Sequence, residues 1–209
     1  MKWDYHREEK LNALSHSLGI ALGIIGFLLL LKANASNTKY ATFSIVVYSL
    51  SIILLFSAST LYHSVNKQSL KLKLRILDHI SIFFLIAGTY TPVALISLSQ
   101  GNGWFIFYAV WGIALIGAIL KVFFTGKFEV LSLLMYLFMG WLIIFDLGNL
   151  IDNTTFPGQM LLALGGAFYT LGIIFYTIRR IPYNHLIWHF FVLGGAISHW
   201  LFIYYDVIQ

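Results

Sequence analysis

The sequence has no cysteine among its 209 residues. That excludes a disulfide scaffold, a thiolate zinc finger and a thiol nucleophile, and leaves seven histidines as the ligand and acid–base supply. Charge is scarce as well: Asp, Glu, Lys and Arg make up 10% of the chain, against roughly a quarter in soluble proteins. With 59% hydrophobic residues and a mean hydropathy of +0.83, the apolar surface exceeds what one aqueous core can hide. A soluble single domain is excluded, and a lipid bilayer is the solvent that fits. Low-complexity tracts, long linkers and lipidation motifs are also missing.

Formal charge is absent over residues 11–31, 40–66, 79–120, 153–178 and 181–205. Each stretch can span a bilayer, which takes about 20 apolar residues per helix. The stretch from His79 to Leu120 is twice that, and Gln100, Gly101, Asn102 and Gly103 in its middle are turn chemistry. A further span fits between Lys127 and Asp152. The expected fold is an all-α bundle of seven transmembrane helices: about Ala13 to Leu31, Tyr40 to Tyr62, Arg75 to Ser97, Trp104 to Phe124, Phe128 to Leu147, Gly158 to Ile178, and Asn184 to Tyr205. Residues 1–12 read as a cytoplasmic segment and 13–209 as one membrane domain. Long strand-like alternation is absent, which argues against a barrel.

The net charge of +5 does not point to nucleic acid, because the 13 basic residues are scattered beside apolar spans. Their placement reads as topology. Lys2, Arg7, Lys10, Lys67, Lys71, Lys73, Arg75, Lys121, Lys127, Arg179 and Arg180 share one side, and only Lys32 and Lys39 fall on the other. The positive-inside rule then predicts a cytoplasmic N-terminus and an extracytoplasmic C-terminus in a multi-pass cell-membrane protein. The outer side also carries Asp146, Asp152, Asp206 and two glycosylation-like triplets, Asn34 to Ser36 and Asn153 to Thr155. The first span imitates a cleavable signal peptide, but its apolar run is too long, Lys32 interrupts it, and Asp4, Glu8 and Glu9 precede it.

Polar residues that the fold must desolvate gather at one end. His6, His16, His63, His79, His185 and His189 lie in the N-terminal segment or at predicted cytoplasmic helix ends, with Asp78 in the same layer. His185 and His189 are four apart and share a helix face. Ser59 and His63 repeat that spacing on the second helix. Three neutral imidazoles suit Zn²⁺, which in catalytic sites takes three protein ligands and keeps a fourth position open. Asp78 could then deprotonate a water, and Ser59 could hydrogen-bond that water or an oxyanion. A plainer reading stands beside this one: histidines at helix ends facing headgroups, and Asp78 paired with Arg75 one turn away.

Glu9, Asn12 and His16 form one stripe at helical spacing, which could orient the site or form a wet face. His199 lies about 15 Å deeper than His189 at 1.5 Å per residue, too far to share its metal. It reads as an interhelical hydrogen-bonding residue or, less simply, a proton relay. Gly19, Gly23 and Gly26, and Gly194 with Gly195, read as close helix contacts. Pro92 should kink the third helix.

These motifs resemble the hemolysin III family, the bacterial branch of the progestin and adiponectin receptor family. The resemblance covers nearly the whole chain: Glu9-Lys-Leu-Asn12-Ala-Leu-Ser15-His16, Ser59-Thr-Leu-Tyr-His63, Leu77-Asp78-His79 with Ala87 to Pro92, and His185-Leu-Ile-Trp-His189 with His199. Ser15 departs from the threonine expected beside the first-helix histidine. The resemblance implies a seven-helix fold with a zinc ion near the cytoplasmic face, held by His63, His185 and His189, with Asp78 and Ser59 close to it. It also implies similarity to alkaline ceramidases and to receptors with lipid-amide hydrolase activity. Three functions follow as expectations. The leading one is a zinc-dependent hydrolase of a membrane lipid's amide or ester bond. The second is a zinc-stabilised, non-enzymatic regulator of membrane lipid or fluidity homeostasis, and the third and weakest is a pore-forming haemolysin.

Overall fold

The computed structural model describes residues 5–34 and 38–208, so the triplet from Asn34 to Ser36 falls partly outside the described residues. Seven helices are long and apolar enough to cross a membrane: α1 Tyr5–Ala33, α2 Ala41–Ser64, α3 Gln68–Ser97, α4 Gly103–Phe124, α5 Glu129–Asp152, α6 Phe156–Thr177 and α7 Asn184–Ile208. No strand occurs among the described residues. The chain is a multi-pass membrane protein, and the seven expected spans are all present.

Helix α1 starts at Tyr5, two turns before the expected Ala13. The charged residues of its first turns are therefore helical, with Arg7 and Lys10 exposed and Glu8 buried, and Asn12, Ser15 and His16 further along are buried in the bundle. Helix α3 likewise starts at Gln68, so the basic stretch after α2 is already helical. Thr155 caps α6 by accepting from the Gly158 amide at 3.2 Å, with Pro157 in the first turn.

Helices α2 and α3 form the centre, with 56% and 61% of their most apolar stretches buried, whereas α6 has 11% and packs mainly on α7. The rest of α6 is apolar surface suited to lipid. Lipid tails do not drive apolar helices together, so close contact depends on small residues. A Cβ at Gly19 would overlap the Phe56 ring, and one at Gly26 would sit 2.6 Å from the Trp200 indole nitrogen. These glycines let α1 approach α2 and α7, which brings the polar stripe of α1 to the site described below.

Two helices are irregular. Past Pro92, which has no amide to donate, α3 widens into a π turn over Val93–Ser97. Helix α5 was expected to be continuous but loosens after Gly140 into a 3₁₀ turn, Leu142–Asp146, before resuming at Leu147–Asp152. The Tyr90 hydroxyl bridges that break: it donates to the Gly140 carbonyl at 2.9 Å and accepts from the Ile143 amide at 2.9 Å. A phenol thus supplies the hydrogen bonds that the interrupted ladder cannot make.

Candidate metal centre

His63 lies in the last turn of α2, and His185 and His189 lie one turn apart near the start of α7. Tyr183, at φ 55°, turns the chain into α7, and the Asn184 side-chain amide donates to the Phe175 carbonyl at 2.8 Å, fixing that start against α6. The three imidazoles converge, with candidate ligand nitrogens all within 4.8 Å of one another. Ring centroids are separated by 5.0 Å for His63 and His185, 4.9 Å for His63 and His189, and 4.7 Å for His185 and His189. His63 and His189 are 5% and 1% exposed, so neither can simply be facing headgroups.

Helix α1 supplies no ligand to this trio but contacts two of its members. The Glu9 carboxylate receives His63 Nδ1 at 3.1 Å through one oxygen and Lys71 Nζ through the other. His189 Nδ1 lies 3.2 Å from the Asn12 carbonyl and 3.1 Å from Ser15 Oγ. Ser15 in turn donates its proton to the Asn12 carbonyl at 2.9 Å, so its oxygen is free to accept from His189. In both rings an Nδ1–H donor leaves the Nε2 lone pair for another partner. For His63 that Nε2 is buried with no hydrogen-bond partner. A carboxylate or carbonyl behind an imidazole is the arrangement that orients metal-binding histidines and raises their basicity.

His16 completes the stripe. Its ring stacks on His189 at 3.5 Å with a 10° interplanar angle and meets the Phe56 ring edge-on at 5.0 Å. The stripe of Glu9, Asn12 and His16 is therefore packed against the cluster and is not a wet face. Asp78 on α3 sits close enough to Ser59 and His63 of α2 for both to act on its carboxylate. Arg75 does not hold it by an ion pair; the guanidinium donates to Glu129 at 3.3 Å. His199 stands apart, its Nε2 3.2 Å from the Leu162 carbonyl of α6, as expected for an interhelical hydrogen bond. A Cβ at Gly165 would collide with that ring, so a glycine admits the histidine.

These buried nitrogens on one wall, with a carboxylate and a hydroxyl beside them, span the motifs of four helices. Residues 4–200 match the family model described as haemolysin-III related. The chain belongs to that family. It is 42% identical to a protein named Hemolysin-3 from Bacillus cereus over 91% of this chain and 87% of the relative. It is 41% identical to a Hemolysin-3 homolog from Bacillus subtilis (strain 168), over 91% of this chain and 90% of that one. A human protein named Monocyte to macrophage differentiation factor is 29% identical over 94% of this chain and 85% of its own length.

Within this haemolysin-III related chain, one set of polar residues escaped the sequence reading. Lys121, 1% exposed, donates to Glu129 at 2.8 Å, and Glu129 also accepts from Arg75 and lies 3.7 Å from His79 Nδ1. Lys121 had counted only as a positive-inside charge, and Arg75 as that or as a partner of Asp78. The available signal was Glu129, an acid at the start of a span between basic residues. This network ties α3, α4 and α5 together at the same end as the histidine cluster, without joining it. Three nitrogen donors with inner nitrogens turned toward one another can hold a metal ion. Imidazole donors suit zinc and several other transition metals.

Proposed function

We propose that this chain is a zinc-dependent hydrolase acting on an amide or ester bond of a membrane lipid, with its site near the cytoplasmic face and its N-terminus cytoplasmic. The observation that carries the reading is the convergence of His63, His185 and His189 beside the Asp78 and Ser59 pair. A structural metal site needs only ligands, whereas an adjacent carboxylate and hydroxyl that ligate nothing else are the groups a hydrolytic step uses. A zinc ion held there would supply a Lewis acid that polarises a carbonyl and acidifies water.

The chain's own residues then have distinct tasks. Asp78 takes the proton from the attacking water and returns it to the leaving amine or alkoxide. Ser59 holds the Asp78 carboxylate in place and offers a hydrogen bond as oxyanion charge develops on the carbonyl. Glu9 orients His63, Asn12 and Ser15 orient His189, and His16 fixes the plane of the His189 ring. The apolar wall of the bundle admits the acyl chain from the lipid phase.

Incubating purified, zinc-replete protein with pooled membrane lipids and detecting released fatty acid tests the reading. Release by the wild type that disappears in Asp78→Ala, with zinc retained, supports hydrolysis. Zinc without turnover of any lipid removes it and leaves the second reading, a zinc-stabilised regulator of membrane state. That reading draws on the burial of His63 and His189, which would let one ion clamp α2 to α7. The haemolysin named in the bacterial relatives is a third reading, tested by dye leakage when purified protein is added to liposomes.

A further inference from the structure

A buried cluster needs a route by which its ion arrives. Between α1 and α2, at the histidine end, lies a cavity of about 420 Å³. Its lining includes His6, Glu9, Ser17, Thr60, His63 and Ser64. His63 is the one member of the triad that lines it. Beside the apolar Ala13 and Leu14, this lining offers oxygen and imidazole acceptors, which can replace the water shell of a cation in stages. The Thr60 hydroxyl oxygen is buried there with no hydrogen-bond partner. Glu9 contacts the cavity, Lys71 Nζ and His63 Nδ1 at once, so a cation that displaces the lysine there is one imidazole ring away from the free Nε2 of His63. Lys10 also lines the cavity but is exposed, and its long side chain can carry its charge out to water.

We propose that the α1–α2 groove is the port through which a divalent cation, with part of its water, reaches and leaves the histidine cluster, His6 receiving it first and Glu9 next. The inference rests on the zinc reading above and adds the route. Metal exchange is then governed by the width of this groove and not by separation of α2 from α7.

The absence of cysteine makes a single introduced thiol a clean handle. Ser17→Cys places one on the groove wall; Leu18→Cys places one on the next residue, which is exposed and does not line the groove. Each zinc-loaded variant is assayed for exchange of bound zinc against isotopically enriched zinc. The assay is repeated after reaction with a bulky, water-soluble methanethiosulfonate and again after a phosphine reductant. The port predicts that the Ser17→Cys adduct slows exchange by about tenfold or more, a barrier increase of about 1.4 kcal/mol. Reduction restores the rate, the Leu18→Cys adduct leaves it unchanged, and zinc content stays stoichiometric throughout, which shows that the fold is intact. An unchanged rate in modified Ser17→Cys, or a thiol there that the reagent cannot reach, overturns the port while leaving the metal reading standing. Wild-type protein that binds no zinc overturns both.

Discussion

At the end of the bundle opposite the histidines, Asp146 and Asp206 accept hydrogen bonds from groups in neighbouring loops and, for Asp146, from the next turn of its own helix. Asp146 takes the Asn102 amide at 2.7 Å and the Asn149 side chain at 2.7 Å; Asp206 takes the Thr155 amide at 2.9 Å. At the histidine end the carboxylates of Glu9 and Asp78 lean on side chains, and the imidazole they share, His63, keeps an Nε2 that nothing among the described residues fills. The first arrangement is a closed staple, with acceptors matched to backbone and side-chain donors. The second has spare coordinating capacity in a place where unfilled polar atoms are costly. Buried acids alone do not distinguish structure from chemistry; the state of their neighbours does.

The largest expected effect is at the histidine end. His189→Ala should abolish stoichiometric zinc, measured by elemental analysis of purified protein. It should also remove ligand-linked stability, about 4 kcal/mol where free zinc is 1,000 times its dissociation constant. Loss of zinc with no change in thermal stability would mean that the cluster contributes little to holding α2 and α7 together. Next comes a change at the opposite end. Asp146→Ala strands the Asn102 amide and the Asn149 side chain, and should cost about 1–3 kcal/mol in denaturant unfolding while leaving zinc content unchanged. A fall in zinc would break the division between the two ends.

Glu9→Gln should keep the fold and weaken zinc binding about 10–100-fold in competition with a chelator, as loss of an outer-shell partner does. The smallest effects are at Ser15. Ser15→Ala removes one hydrogen bond to His189, about 0.5–1.5 kcal/mol, whereas Ser15→Thr keeps the hydroxyl and should be nearly neutral. If alanine and threonine behave alike, the Ser15 contact does not orient the ring.

The number of spans was legible because bilayer thickness sets helix length and few charges interrupt it. The triad was legible because His185 and His189 share a face by spacing alone and His63 closes the preceding hydrophobic run. The partner of Asp78 was not, because a helical neighbour such as Arg75 competes with residues on other helices, and Ser59 on α2 prevails only in three dimensions. Lys121 was missed because a lysine at a helix end reads the same whether it reaches water or a buried glutamate. The break in α5 carries no proline and depends on Tyr90 from α3, and the early start of α1 was hidden by the density of charge between Arg7 and Lys10.

The most direct test of the central claim is zinc-edge X-ray absorption on purified wild-type protein beside the triple variant His63→Ala, His185→Ala, His189→Ala. The account predicts stoichiometric zinc in the wild type with three imidazole nitrogens at about 2.0–2.1 Å, and none in the variant. Wild-type protein without zinc, or a variant that retains it with the same spectrum, would contradict the assignment of this cluster as a metal centre.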